Sequence, residues 1–306
     1  MNRKIATWLI ILIVLLFLGY IIYDVAFNKE KTSKESTAIK SSENLDKWKV
    51  SGTIDPASGK VKAVAVMQNG NVLIGGETFL GCYDPMNKLL WNRKIEKPVT
   101  ALSVSGDTIF ASTIETILEL NSDGEHITEW GPFEDNSIIT SVATNGSHVV
   151  YADAGNKIIV VLDKKGNLIS MIGKSGEPFI IPSPYFDVAI DRDNIIYAAN
   201  TGNRRIEKRN IEGKVLSFFG EAGTAPDTFC GCCNPAHFTL IPGGFITAEK
   251  GINRIKILNA KGEFIEFVSS VNEFVPPMPL DVATADGKII YGANPADSKV
   301  YIFTRK

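Results

Sequence analysis

Three of the chain's four cysteines and one of its three histidines fall within eight residues, Cys230-Gly231-Cys232-Cys233-Asn234-Pro235-Ala236-His237. Thiols and an imidazole are nucleophiles, soft-metal ligands and bridge formers, so this run concentrates the reactive side chains of the sequence. Three arrangements suit it. Cys230, Cys232, Cys233 and His237 offer three sulfurs and one nitrogen, a donor set for tetrahedral zinc or for copper as Cu(I). A disulfide, Cys230 with Cys233 or Cys232 with its neighbour Cys233, would stiffen the loop and leave one thiol over. Packing alone is the third: small, polarizable side chains filling a tight loop. The cofactor expectation is therefore a metal ion, zinc or copper, or none.

Other candidates surround this run. Arg204, Arg205, Lys250 and Arg254 are expected near one rim, where guanidinium and ammonium groups would cradle an anion or carboxylate. Two proline-rich apolar loops, Glu177–Tyr185 and Phe274–Pro279, are expected on the same face. Phe179 and Tyr185 within them are candidate partner anchors. Cys82 lies in an apolar run, Phe79-Leu80-Gly81-Cys82-Tyr83, and reads as a buried inert thiol. His126 and His148 follow Gly124 and Gly146 and are expected at turns on the opposite face. The sequence has no Gly-rich phosphate loop, G-x-S-x-G elbow or H-E-x-x-H run.

The elements that would position these residues begin after an atypical amino terminus. Ile5 to Tyr23 is an uncharged run of 19 residues. As a helix it would be about 28 Å long, near the thickness of a bilayer core. Arg3 and Lys4 precede it, which favours a cytoplasmic amino terminus and an exported body. Its length and the lack of an A-x-A-like site favour an uncleaved signal-anchor over residues 1–27 rather than a signal peptide. Residues 28–44 are polar, mixed in charge and suited to a flexible tether. Residues 45–306 then form one domain with a formal charge of −4 and no basic stripe, so nucleic acid is not an expected partner.

Within that domain a turn residue followed by a β-rich run returns six times. The anchors Gly70, Gly106, Gly146, Asn194, Gly244 and Gly287 are spaced 36, 40, 48, 50 and 43 residues apart. Each of the first five units carries a second turn, as at Asp123-Gly124 and Lys261-Gly262, and so reads as a four-stranded antiparallel sheet. That period with those strands predicts an all-β, six-bladed β-propeller. The last unit stops one strand short, and Lys47–Ile54 is a spare strand that would close the ring.

Pro184-Tyr185-Phe186-Asp187-Val188-Ala189-Ile190-Asp191, followed by Asn194-Ile195-Ile196-Tyr197-Ala198-Ala199-Asn200-Thr201-Gly202-Asn203-Arg204-Arg205-Ile206, resembles an NHL repeat. Asn194 and Asn200 depart from the Gly and Asp common there. Asp153–Asn156 and Glu249–Ile255 echo the same segment in the third and fifth units. The resemblance implies a six-bladed propeller and little about activity, since such propellers bind proteins, RNA or glycans and a few are lyases or esterases. No second histidine accompanies His237, so the three-histidine metal centre of some NHL-like lyases is not expected. The expectation is a monomeric, membrane-anchored, extracytoplasmic module binding a protein, peptide or glycan through its upper-face loops. The alternative is a metal-binding or redox protein built on the cysteine loop.

Overall fold

The computed structural model describes residues 8, 11–20, 23, 47–270, 274 and 278–306. These fall into two units, residues 1–45 and 46–306, treated separately below. In the first, residues 8, 11–20 and 23 are helical. Among the described residues no helix is long and apolar enough to cross a membrane. Much of the expected anchor over residues 1–27, and all of the expected tether over 28–44, lie outside the described residues.

The second unit is a six-bladed propeller of 24 strands. A closing strand, β1 (Trp48–Ile54), comes first. Blade 1 is β2 (Val61–Val66), β3 (Val72–Gly76), β4 (Phe79–Tyr83) and β5 (Leu89–Lys94). Blade 2 is β6 (Ala101–Ser105), β7 (Thr108–Ser112), β8 (Ile117–Leu120) and β9 (His126–Trp130). Blade 3 is β10 (Ile139–Thr144), β11 (His148–Asp153), β12 (Ile158–Asp163) and β13 (Leu168–Ile172). Blade 4 is β14 (Val188–Ile190), β15 (Ile196–Asn200), β16 (Arg205–Arg209) and β17 (Val215–Phe219), with a 3₁₀ turn at Thr201–Asn203. Blade 5 is β18 (His237–Ile241), β19 (Gly244–Ala248), β20 (Ile255–Asn259) and β21 (Phe264–Ser269). Blade 6 is β22 (Asp281–Ala283), β23 (Ile289–Asn294) and β24 (Lys299–Arg305), completed by β1 on the far side of β24. The closing strand is the one the sequence leaves over, paired antiparallel from Trp48 opposite Arg305 to Ile54 opposite Val300.

The outer hairpins repeat one piece of turn chemistry. Asp84, Asn121, Asp163, Asn210 and Asn259 each accept, on Oδ1, the backbone N–H four residues on, at 2.7–3.0 Å. The third residue after each has positive φ: Asn87, Gly124, Gly166, Gly213 and Gly262. An Asx side chain that mimics a backbone acceptor, followed by a residue able to enter the left-handed region, makes this reversal cheap.

Burial fixes the ring. β3 and β4 are buried along their whole length, whereas β5 has no fully buried residue. Six apolar clusters lie one at each junction between neighbouring blades. One joins blades 6 and 1 through Ile54, Val61, Ile74, Tyr291 and Val300. An open array would leave that apolar surface in water, at about 25 cal/mol for each Å².

Candidate functional site at the upper mouth of the channel

The innermost strands β2, β6, β10, β14, β18 and β22 line a central channel of about 220 Å³. Each runs downward from the upper face, so its first residues surround the upper mouth. One register position recurs: Ala63 pairs with Gly75, Leu102 with Ala111, Ser141 with Ala152, His237 with Ala248 and Asp281 with Ala293. Asp187 takes the same position in blade 4, its carbonyl accepting the Ala199 N–H at 2.9 Å. At this position blades 3 to 6 carry Ser141, Asp187, His237 and Asp281, blade 2 carries Leu102, and blade 1 carries Ala63, which is buried off the channel lining. Four of the six positions are polar.

The four polar positions form one arc. Ser141 Oγ donates a short hydrogen bond to Asp187 Oδ1. Asp187 Oδ1 also accepts the Val188 N–H at 2.9 Å, and Oδ2 the Phe238 N–H at 2.7 Å. His237 Nδ1 lies 3.8 Å from Asp187 Oδ2 and 3.7 Å from Asp281 Oδ1, between the two carboxylates. Asp281 Oδ2 accepts the Val64 N–H at 2.9 Å, joining blade 6 to blade 1. Burial pushes both carboxyls up, with the His237 imidazole working against it in each case; Asp187 rises from 3.8 to about 6.

That shift makes a checkable expectation. A carboxyl that holds its proton more tightly folded than unfolded contributes stability that is complete below about pH 4. This contribution, about 3 kcal/mol, is lost as pH rises through 6. The carboxyl carbon of Asp187, followed by NMR, should titrate near pH 6 and shift in a His237→Ala variant. A midpoint near 4 would contradict the buried arc.

Above the mouth sits a shell of loop residues. The Tyr185 ring meets the His237 ring edge-on at 6.3 Å, and Lys250 Nζ lies 4.5 Å from the Tyr185 ring centre. Asn234 fixes the cysteine loop: it donates to the Cys230 and Lys250 carbonyls and accepts the Lys250 N–H at 2.9 Å. Cys232 is exposed and Cys233 buried, with their sulfurs 3.2 Å apart. Burial disfavours the Cys233 thiolate, but the Ser183 hydroxyl (buried and otherwise unpartnered), Cys232 and the Lys250 ammonium outweigh it and lower that thiol. Sharing with Cys233 pushes Cys232 up. Burial raises Cys230, and the Glu249 carboxylate adds to it.

The geometry corrects several expectations. All four cysteines are free thiols, so neither expected bridge is present. Among the described residues no group of three His, Cys, Asp or Glu side chains is placed to hold a metal. Cys230, Cys232, Cys233 and His237, expected as a zinc or copper site, are not gathered into one here: His237 opens β18, with Asp187 and Asp281 oxygens 3.8 and 3.7 Å from its Nδ1. Phe179 is buried in the junction of blades 3 and 4, its ring tilted against Phe186 and capped by Arg209 at 4.4 Å. The exposed apolar residue of that loop is its neighbour Ile180.

The expected anion cradle is largely engaged elsewhere. Arg205 pairs with Glu207 at 2.6 Å and lies over Phe218. Arg254 is buried against Glu249 at 2.9 Å and donates to the Thr224 and Thr228 carbonyls. Arg204 caps the 3₁₀ turn at φ 54, its Nε buried without a partner. Only Lys250 and Tyr185 of the expected ligand-binding set reach the mouth. Cys82 is buried in β4, and burial lifts its thiol to about 11. His126 and His148 open β9 and β11, and His148 Nδ1 meets Asn194 Oδ1 at 3.0 Å.

Asp187 and Asp281 were not among the candidates read from sequence. A signal was present: Asp187-Val188-Ala189 and Asp281-Val282-Ala283 are the same phrase, each after a large apolar residue, and His237-Phe238-Thr239 occupies its place in blade 5. A roomier groove of about 500 Å³ runs between blades 1 and 2, lined by Arg93, Lys97, Glu125 and Glu129 among others. Among the described residues its charges, carried on β5, β9 and the adjoining loops, form no ion pair with one another, so the mouth is the stronger site.

No protein-family model matches the chain, and no curated protein matches it in sequence. Solved structures do. The WD40 propeller domain of Doa1 matches at 12% identity and TM-score 0.58, over 85% of this chain and 97% of that one. A Bacteroides thetaiotaomicron protein described as of unknown function matches at 14% and 0.62, over 83% and 72%. A virginiamycin B lyase from Staphylococcus aureus matches at 14% and 0.58, over 85% and 100%. Identities this low do not confirm the NHL resemblance; what the likenesses show is a β-propeller fold.

Proposed function

We propose that this propeller is a binding module whose upper mouth takes a nitrogen-rich group of a protein or peptide partner, a Lys or Arg side chain or an amino terminus. The carrying observation is the arc of Asp187, His237 and Asp281. Two carboxylates at the rim of a narrow channel accept N–H donors, and partial burial strengthens such charge-assisted bonds. Tyr185 and the exposed Ile180 supply flat apolar area beside it, as the centre of an interface requires. In this reading the amino-terminal segment is a membrane anchor, and the propeller works as a monomer on the extracytoplasmic side. The uncharged run, the preceding Arg3 and Lys4 and the polar tether support that placement.

The test is a peptide and glycan array followed by titration of the best binders. Asp281→Asn and His237→Ala should each weaken a Lys- or Arg-bearing peptide by tenfold or more, while His126→Ala on the lower face leaves it unchanged. Equal affinities across the three variants, or glycans binding in place of peptides, would overturn the reading.

A further inference from the structure

Cys232 and Cys233 have no part in that binding chemistry, yet their two thiols touch on the upper face. Their sulfurs are 3.2 Å apart, one exposed and one buried. The loop that carries them is held on both sides by Asn234, and the Cys230 N–H is fixed to Glu249 Oε2 at 3.0 Å. Two thiols in contact, framed by backbone hydrogen bonds, are placed to react with one another.

Adjacency then decides what kind of bridge they make. Consecutive Cα atoms stand about 3.8 Å apart across a trans peptide, whereas disulfides prefer roughly 4.4–6.8 Å. A bond between neighbours is therefore strained, and strained bridges are the labile ones rather than staples.

We propose that Cys232 and Cys233 are a thiol–disulfide exchange couple at the channel mouth, whose co-reactants are disulfides of low-molecular-weight thiols or of protein cysteines. The exposed Cys232 sulfur attacks one sulfur of R–S–S–R′. The S–S bond breaks, R′S⁻ leaves and takes up the Cys232 proton, and R remains on Cys232 as a mixed disulfide. The Cys233 sulfur, already in contact, attacks Cys232; RS⁻ leaves with the Cys233 proton, and the vicinal disulfide forms. Two electrons pass from the protein dithiol to the substrate disulfide, which becomes two thiols. The reverse sequence reduces the protein and oxidises a dithiol partner. This activity goes beyond the binding reading and needs no partner of the channel mouth.

The experiment uses the full-length protein, reduced and then equilibrated with glutathione and its disulfide over a series of ratios. Free thiols are trapped by alkylation and the peptides weighed. The expected product lacks two hydrogens on the peptide carrying Cys232 and Cys233, with Cys82 and Cys230 alkylated, and it reverts as the reduced thiol is raised. Cys233→Ser should stop at glutathione on Cys232. Cys232→Ser should react at least tenfold more slowly, because the remaining sulfur is buried. A pair that stays reduced at every ratio, a bridge that includes Cys230, or equal glutathione uptake by both variants would overturn the proposal. The wild-type masses decide it even if a variant fails to fold.

Discussion

Replacing Glu249 by Gln is expected to cost about 3–5 kcal/mol of unfolding free energy at pH 7, because it strands two buried cations. Glu249 is buried, and its carboxylate meets Arg254 Nε at 2.9 Å and Lys256 Nζ at 3.0 Å while accepting the Cys230 N–H at 3.0 Å. Even with that carboxylate present, burial pulls the Lys256 ammonium from 10.5 down to about 8, and the nearby Arg254 adds to the fall. The unfolded chain therefore binds more protons than the folded one between about pH 8 and 10.5, and folding stability rises with pH across that window. Without Glu249 the ammonium is disfavoured further, so the window opens at lower pH. Urea unfolding of the variant should show its largest deficit near pH 7 and a smaller one near pH 10, where the neutral amine needs no counter-charge. Adding Lys256→Met should restore part of the loss. A deficit below 1 kcal/mol, or one independent of pH, would show that the cluster is not held by charge pairing.

The same cluster shows what sequence could and could not reveal. The blades were legible because their outer turns need an Asx residue followed by a residue with positive φ, and only a few residue types meet that demand. The closing strand was legible because the last unit lacks one. Which face a strand residue takes is a different matter, since a shift of one residue reverses it. Arg205, Glu207 and Arg209 alternate along β16 and share one face, where Glu207 pairs with both arginines. Arg254 and Lys256 alternate in the same way and meet Glu249. Counted as residue types Arg205 and Arg254 are rim cations; by strand parity both are paired with carboxylates. The mouth was missed for a related reason. Asp187, His237 and Asp281 lie 50 and 44 residues apart, and only common register in three blades brings them to one arc. The same point bears on the metal expectation: among the described residues no such site is found, and His237 belongs to a strand while the cysteines belong to the loop before it.

Closure of the ring predicts the other large effect. Trp48 in β1 is 2% exposed, donates its Nε1–H to Glu266 Oε1 at 3.0 Å and carries the Arg305 guanidinium 4.8 Å from its ring centre. It packs with Val268, Leu280 and Phe303 at the junction of blades 5 and 6. Trp48→Ala should cost about 3–5 kcal/mol from lost burial and the cavity left behind. Glu266 keeps Lys47 at 3.4 Å and Arg305, so the substitution leaves no unpaired carboxylate to confuse the result. The location of the damage matters more than its size. β1 covers the outer edge of β24, and a bare β24 would offer unpaired backbone groups to another chain. If the amino-terminal strand is what holds the last blade to the ring, amides along β24 should lose hydrogen-exchange protection well before those of β11 and β12. If β1 is only an ornament on a ring closed by blade-to-blade packing, β24 should stay as protected as blade 3 and the cost should fall below 1 kcal/mol. The apolar junction of blades 6 and 1 includes Ile54 and Val300, which pair across β1 and β24, so strand closure and blade packing share residues. That shared use favours the first outcome: the two ends of the domain are held by one cooperative structure, and weakening the strand weakens the junction with it.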